Sequence, residues 1–190
     1  MQLNWDAGVE VGAMARAVTS AAAGASAPTP GPVGELFAHV ALLPMLRAGV
    51  YASHDISPEP GAPAREITEG GLSVRLLPPL LAAPWRTWAF AGVGYARAYA
   101  PSHRAEIASP GGAVVPGAGG GILDVPFGLG LAYRPRRPWE YFAELGGRAG
   151  AFFTGSLYSS TRAQCVCPSP PFAGKDSFAL LLTVGVSFDQ

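Results

Sequence analysis

The residues best suited to acid–base chemistry are three histidines, His39, His54 and His103. His54 lies between Ser53 and Asp55, but neighbouring side chains on a strand point to opposite faces, so these residues cannot form a Ser–His–Asp triad. A histidine also lies beside a serine at 53–54 and at 102–103. His39 follows Glu35 on one strand face, which is typical of an interior histidine paired with a carboxylate. Because no nucleophile–base pair follows from the spacing, we expect no catalytic residues.

A second candidate site is the pair Cys165 and Cys167, in a segment rich in proline and serine. The two thiols could close a small disulfide in an oxidising exterior or bind a soft metal. Two ligands are too few for a structural zinc site, so we predict a loop disulfide or free thiols and no metal. The glycine run at 117–121 lacks the Lys-Ser/Thr of a phosphate-binding loop, and we expect no cofactor.

Charged residues are few and evenly balanced. Lys and Arg number 13, Asp and Glu number 13, and charged residues make up 14% of the chain, against ~25% in an average soluble domain. A zero formal net charge predicts no nucleic-acid partner. Arg134, Arg136 and Arg137 form a basic turn, either solvated or in contact with anionic headgroups.

Period-two alternation is the strongest pattern in the chain. From Ser177 to Phe188, even positions are apolar, while odd positions are small or polar except Leu181, as expected for a strand with two different faces. From Trp139 to Phe153, Glu140, Glu144 and Arg148 share a face with Phe142 and Phe152. Eight such segments are predicted, at 3–16, 34–43, 46–57, 68–79, 87–100, 122–133, 139–153 and 177–188.

The polar strand faces gather most of the charged side chains. A closed barrel would bury them, and buried charges must be paired and hydrogen-bonded. The predicted interior set is Asp6, Glu10, Arg16, Glu35, His39, Arg47, Glu69, Arg75, Asp124, Glu140, Glu144 and Arg148. Within it, the predicted ladder of ion pairs consists of Glu10, Arg47, Arg75, Glu140, Glu144 and Arg148.

The apolar faces predict a membrane barrel. No run approaches the ~18 apolar residues of a transmembrane helix, and a closed barrel is the other way to satisfy a backbone in lipid. A soluble lipocalin-like barrel is the structural alternative, but its polar face would carry charges throughout, whereas Gly, Ala and Ser dominate here. The fold class is therefore all-β, an eight-stranded antiparallel up-and-down transmembrane β-barrel, with residues 1–190 as one domain.

Connections alternate between short turns and long segments, as in outer-membrane barrels. Short turns are predicted near 44–45, 80–86 and 134–138, and long external loops at 17–33, 58–67, 101–120 and 155–175. Trp and Tyr prefer membrane interfaces. The interface aromatics predicted at the short-turn end are Trp5, Trp85, Trp88, Trp139, Tyr133 and Phe188.

The last strand, SFALLLTVGVSF at 177–188, is similar to the C-terminal strand of small outer-membrane barrels of the OmpA/OmpX/OmpW type. Asp189 and Gln190 after Phe188 depart from that pattern. The resemblance covers nearly the whole chain at the level of architecture. It implies a bacterial outer-membrane protein, monomeric, with the lipid bilayer or lipopolysaccharide and the barrel-assembly machinery as partners. Residues 1–8 already read as a strand rather than a signal peptide, so we expect either a mature chain with a start Met added or a mis-assigned gene start.

The expected function is non-enzymatic: adhesion, envelope integrity or a narrow pore, since eight strands leave an interior that side chains fill. Two alternatives stay open. A lipid-modifying barrel enzyme needs a histidine beside a hydroxyl at the outer rim. A soluble ligand-carrying barrel needs Leu123, Val125, Phe127 and Leu129 to point inward.

Overall fold

The computed structural model describes residues 4–20, 24–25, 29–59, 62–99, 119–136, 138–154 and 174–189. The strands, in chain order, are β1 (Trp5–Ser20), β2 (Gly24–Ala25), β3 (Thr29–Leu43), β4 (Leu46–Glu59), β5 (Ala62–Leu76), β6 (Trp85–Tyr99), β7 (Gly119–Arg136), β8 (Trp139–Thr154) and β9 (Gly174–Asp189). Within these residues no helix is long and apolar enough to cross a membrane.

The strands close into an up-and-down barrel. Each long strand pairs antiparallel with the next in the order β1, β3, β4, β5, β6, β7, β8, β9, and β1 pairs with β9. The two-residue β2 pairs antiparallel with Thr19 and Ser20 at the end of β1. The closing register joins Ala7 to Phe188 and Ala17 to Phe178, so the pairing runs along most of both strands. The prediction of an eight-stranded antiparallel barrel is confirmed.

The two faces of the strands differ as the alternation predicted. Large apolar side chains such as Leu36, Leu129 and Leu180 are exposed on the outside. Val125 and Phe127 also face outward, so the soluble ligand-carrying barrel, which required them inside, is wrong. Most charged side chains that the structure describes on the strands point into the lumen, where many of them form ion pairs.

Two of the four predicted long loops are wrong, because the strands continue through them. Residues 29–33 belong to β3. In the predicted loop 58–67, β4 continues to Glu59 and β5 begins at Ala62. Alanine, glycine, proline and serine are typical of loops, which explains the error. Pro30 and Pro32 are tolerated because β3 pairs there with β1 but not with β4, so fewer ladder bonds are required of them. The predicted loops 101–120 and 155–175 lie almost entirely outside the described residues.

A β-bulge changes the face of Phe152. The register between β7 and β8 shifts between Gly121 and Leu123, so that Gly121 pairs with Thr154 and Leu123 with Ala151. Phe152 takes a positive φ of 53°, and its side chain is 77% exposed. The prediction that Phe152 shares the inner face with Arg148 is therefore wrong, because a bulge inserts a residue and interrupts strict alternation.

Candidate functional site: the ion-paired lumen

The lumen is filled by side chains from all eight long strands. Glycines make room for the bulky ones: a Cβ added at Gly130 would collide with the indole ring of Trp88. Such close approach is possible only where no side chain is present. The charged and aromatic side chains in this space form three layers along the barrel, described here from the short-turn end to the far end.

The first layer, the turn-end cluster, pairs three carboxylates with three guanidinium groups. Its members are Asp6, Arg47, Arg86, Arg134, Glu140 and Asp189. Arg47 donates to Asp6 at 2.6 Å and lies 3.2 Å from Asp189. Arg86 lies 3.0 Å from Glu140 and 2.9 Å from Asp189, and Arg134 also contacts Asp189. Each guanidinium touches two carboxylates, so the cluster is balanced and redundant.

The second layer, the aromatic layer, consists of Phe37, Trp88 and Phe142 with Arg75 and Glu144. The Phe142 ring lies 5.7 Å from both Phe37 and Trp88. Arg75 stacks over Phe37, 4.1 Å from the ring centroid, and donates to Glu144 at 2.8 Å. Trp88 Nε1 donates to the same carboxylate at 2.9 Å. Rings and one shared ion pair therefore fill the middle of the barrel.

The assignment of Trp88 to the membrane interface is wrong. Its side chain is 3% exposed and lies within the aromatic layer. Trp85 faces outward on the same strand, and residues three apart on a strand lie on opposite faces. The alternation itself therefore required Trp88 to point into the lumen.

The third layer, the Arg148 hub, is organised around one guanidinium. Arg148 reaches Glu35 at 2.7 Å, Asp124 at 3.7 Å and the Ser53 hydroxyl at 3.0 Å. It also pairs with Glu69, which accepts a hydrogen bond from Tyr51. One arginine from β8 thus contacts side chains of β3, β4, β5 and β7, and it faces three carboxylates.

Beyond the hub, the far end of the described lumen becomes mainly apolar. Met14, Val33, Ala179 and Leu181 form a buried cluster. One ion pair remains beside it, between Arg16 and Asp55 at 3.5 Å. In the part of the lumen that the structure describes, apolar packing and the Arg16–Asp55 pair therefore lie above the hub.

The predicted ladder residues fall into different layers. Arg47 and Glu140 lie in the turn-end cluster, Arg75 and Glu144 in the aromatic layer, and Arg148 in the hub. Glu10 is buried, but none of the described salt bridges includes it, and its Oε2 atom has no hydrogen-bond partner there. The structure thus brings five of the six ladder residues into ion pairs with described partners.

Sequence reasoning missed several members of the lumen network. Asp189 departs from the C-terminal pattern of the resembling barrels, yet it follows the outward Phe188 and faces inward. Arg86 lies between the outward-facing Trp85 and Thr87 on β6, so it also faces the lumen. The prediction that Arg134 lies in a solvated or headgroup-contacting surface turn is wrong, because its side chain points inward to Glu140 and Asp189.

The remaining interface aromatics gather at the short-turn end, on the outside. Phe188 lies 5.7 Å from Trp5 and 5.5 Å from Trp139, and Trp85 lies 5.0 Å from Tyr133. Such contacts between strands form part of a ring around the barrel, which is how aromatic girdles are built. Cys165 and Cys167, the loop disulfide candidates, lie outside the described residues.

Two histidines can be placed. His39 is buried in the lumen, with Nε2 at 2.8 Å from the Ser73 hydroxyl and Nδ1 at 3.7 Å from Asp6. His54 is exposed on the outer face, with Nδ1 at 2.9 Å from the Thr68 hydroxyl. His103 lies outside the described residues. Among those residues, no group of three His, Cys, Asp or Glu side chains is arranged to hold a metal ion.

Comparison with known proteins supports the architecture rather than a sequence family. No family model matches the chain, and no curated protein matches it. The crystal structure of Neisserial surface protein A is similar with a TM-score of 0.66 at 12% identity, covering 97% of this chain and 96% of that chain. A major outer membrane protein from Thermus thermophilus is similar with a TM-score of 0.56 at 12% identity, covering 100% of both chains. The chain therefore has the fold of the small outer-membrane β-barrels, as its alternation and last strand predicted.

Proposed function

We propose that this protein is an integral outer-membrane barrel with a closed lumen, which acts as a structural or adhesive element and not as a pore or an enzyme. The observation that carries the proposal is the burial of the lumen. Arg148, Asp124 and Ile122 are each 0% exposed, and Glu10 is 1% exposed. A water-filled channel would leave such side chains accessible from inside the barrel.

The composition of the lumen explains why it is closed. An eight-stranded barrel has room for little more than its own side chains. Here the room is taken by arginine–carboxylate clusters at two levels and by Phe37, Trp88 and Phe142 between them. Opening a path for ions would require several buried ion pairs to separate together, and buried charges without partners are costly.

An outer-membrane location is supported by the outside of the barrel. Its middle is apolar, and five aromatic residues lie around part of its short-turn end, namely Trp5, Trp85, Trp139, Tyr133 and Phe188. Outer-membrane barrels place short turns in the periplasm and longer loops outside. We extend the proposal to a monomer in contact with outer-membrane lipids, whose last strand β9 is recognised by the barrel-assembly machinery.

A lipid-modifying enzyme is the second candidate, because one observation favours it. His54 has the nearby hydroxyl that such an enzyme needs, although the partner is Thr68 and not Ser53, which points inward to Arg148. A nucleophile–base pair also needs a third group that orients the base. The described residues place no carboxylate in hydrogen-bond contact with His54, so we favour the non-enzymatic function.

Detergent-dependent folding tests the membrane assignment. The chain is refolded with and without detergent micelles, and boiled and unboiled samples are compared on a denaturing gel. We expect a mobility shift and β-type circular dichroism only with detergent. A monodisperse fold without detergent would contradict the assignment. Release of fatty acid from outer-membrane glycolipid by the folded chain, abolished by His54→Asn, would favour the enzyme instead.

A further inference from the structure

The outer face of the barrel carries a polar row at the far end of three neighbouring strands. Its members are His54 on β4, Thr68 on β5 and Arg97 on β6, called here the outer-rim row. Thr68 is the register partner of both His54 and Arg97, so the three side chains lie side by side. All three are exposed.

The row marks where the apolar band ends on these strands. Between the short-turn end and the row, the outward-facing positions of β4 and β5 hold an apolar residue or a glycine. The same is true of β6 from Ala89 onward, where Tyr95 also faces outward. These positions are Leu46, Ala48, Val50 and Ala52 on β4, Leu76, Val74, Leu72 and Gly70 on β5, and Ala89, Ala91, Val93 and Tyr95 on β6. The row is therefore the first polar level that all three strands reach together.

The height of the row matches a membrane interface. The part of β6 from Trp85 to Arg97, at ~3.4 Å per residue and a tilt of ~40°, spans about 30 Å along the barrel axis. The apolar band of outer-membrane barrels is ~25 Å tall. With Trp85 at the short-turn interface, Arg97 lies at the level of the headgroups of the opposite leaflet.

Charge on the outside of the barrel is concentrated at this place. Among the charged side chains that the structure describes, those facing away from the lumen are Glu66, Arg97 and, at the short-turn end, Arg136. None of the described carboxylates forms an ion pair with Arg97. Its guanidinium lies 5.0 Å from the Tyr99 ring centroid, a contact with the ring face that uses none of its N–H groups.

His54 and Thr68, the other two members of the row, together provide one further hydrogen-bond donor. Nδ1 of His54 and the Thr68 hydroxyl are 2.9 Å apart. If the hydroxyl donates to Nδ1, then Nε2 of the imidazole carries a free N–H. If Nδ1 donates, then the hydroxyl hydrogen is free. In either tautomer, the pair offers one donor besides the guanidinium.

We propose that the outer-rim row binds the phosphate of a phosphorylated glycolipid in the outer leaflet. Guanidinium groups bind phosphate by paired hydrogen bonds, and the donor from His54 and Thr68 completes the contact. Glu66, the register partner of Tyr99, supplies an acceptor for sugar hydroxyls, and the exposed Tyr95 and Tyr99 rings supply surfaces for the sugar. A headgroup with both phosphate and sugar uses every one of these groups. The inference rests on the proposed outer-membrane function.

Native mass spectrometry of the detergent-folded full chain tests the site, with diphosphoryl lipid A, its dephosphorylated form and phosphatidylglycerol as probes. We expect retention of diphosphoryl lipid A, a roughly tenfold loss with Arg97→Gln and a smaller loss with Thr68→Val. Arg136→Gln is the matched control, because it removes an exposed arginine from the opposite end, and its retention should equal that of the unmodified chain.

Equal retention by Arg97→Gln and Arg136→Gln would overturn the site. Equal retention of the dephosphorylated lipid would overturn phosphate recognition, and equal retention of phosphatidylglycerol would overturn the glycolipid assignment. Each sample is first shown to be folded by its gel shift. A chain that never folds in detergent would therefore contradict the proposed function, which is a distinct result from folded protein that does not bind.

Discussion

The turn-end cluster and the Arg148 hub solve the same problem in opposite ways. Both place carboxylates and guanidinium groups inside a narrow barrel. The turn-end cluster holds three of each, and every cation there touches two anions. The hub holds one cation against Glu35, Glu69 and Asp124. Redundancy makes the first cluster tolerant of the loss of one member, while the second depends on a single side chain.

Removal of Arg148, the central cation of the hub, should give the largest loss of stability and so distinguish the hub from the turn-end cluster. Arg148→Ala leaves three buried carboxylates without their common partner, and we expect a loss of about 3–5 kcal/mol in the free energy of unfolding. The measurement is urea unfolding of the lipid-folded barrel, followed by tryptophan fluorescence.

Arg47→Ala is the matched control for the hub. Asp6 keeps Arg75 at 3.6 Å, and Asp189 keeps Arg86 and Arg134, so we expect a loss of only about 1–2 kcal/mol. If the two alanine variants were equally stable, the distinction between a redundant cluster and a single-cation hub would be wrong.

The packing of the aromatic layer between the clusters should give the next largest effect. A Cβ at position 130 would meet the Trp88 ring, so Gly130→Ala must displace the indole from Glu144. We expect a loss of about 1–3 kcal/mol and a shifted tryptophan emission. At Gly34 an added Cβ has its nearest contact at 3.8 Å, so Gly34→Ala should change stability by less than about 0.5 kcal/mol. A Gly130→Ala barrel as stable as the control would refute tight packing of this layer.

Glu10 should give the smallest effect and the opposite sign. Its Oε2 atom is buried, with no hydrogen-bond partner among the described residues. Glu10→Gln removes the cost of an uncompensated buried charge, and we expect unchanged stability or a gain of up to about 1 kcal/mol. A Glu10→Gln barrel that loses more than about 1 kcal/mol of unfolding free energy in the same urea assay would show that the Glu10 carboxylate is stabilised by a partner.

Much of the fold could be read from the sequence, because a strand repeats its faces every two residues. That rule placed Glu10, Arg75 and Arg148 inside and Leu129 outside, and applied strictly it would also have placed Trp88 and Asp189 inside. It failed at Phe152, where a bulge resets the alternation. The proline-rich segment before Val33 was a separate error. Its composition is typical of a loop, but the segment is a strand that pairs with β1 and not with β4.

The ion-pair partners could not be predicted in the same way. Alternation says that a side chain points into the barrel, but the groups it meets depend on strand tilt and on the stagger of the closed sheet. Arg148 contacts Glu35, which is far away in sequence and lies on a strand that is not its neighbour. Such contacts across the lumen are set by the closed barrel and not by any local pattern.

The ion-paired, aromatic-filled lumen is proposed to close the barrel to ions. The most direct test is conductance of the folded, unmodified chain in planar lipid bilayers, with insertion verified by its heat-dependent gel shift. The structure predicts no stepwise current above that of the bare bilayer, because Arg148 and its neighbours leave no accessible path. A stable, reproducible open level carried by the inserted chain would show that the lumen is open to ions.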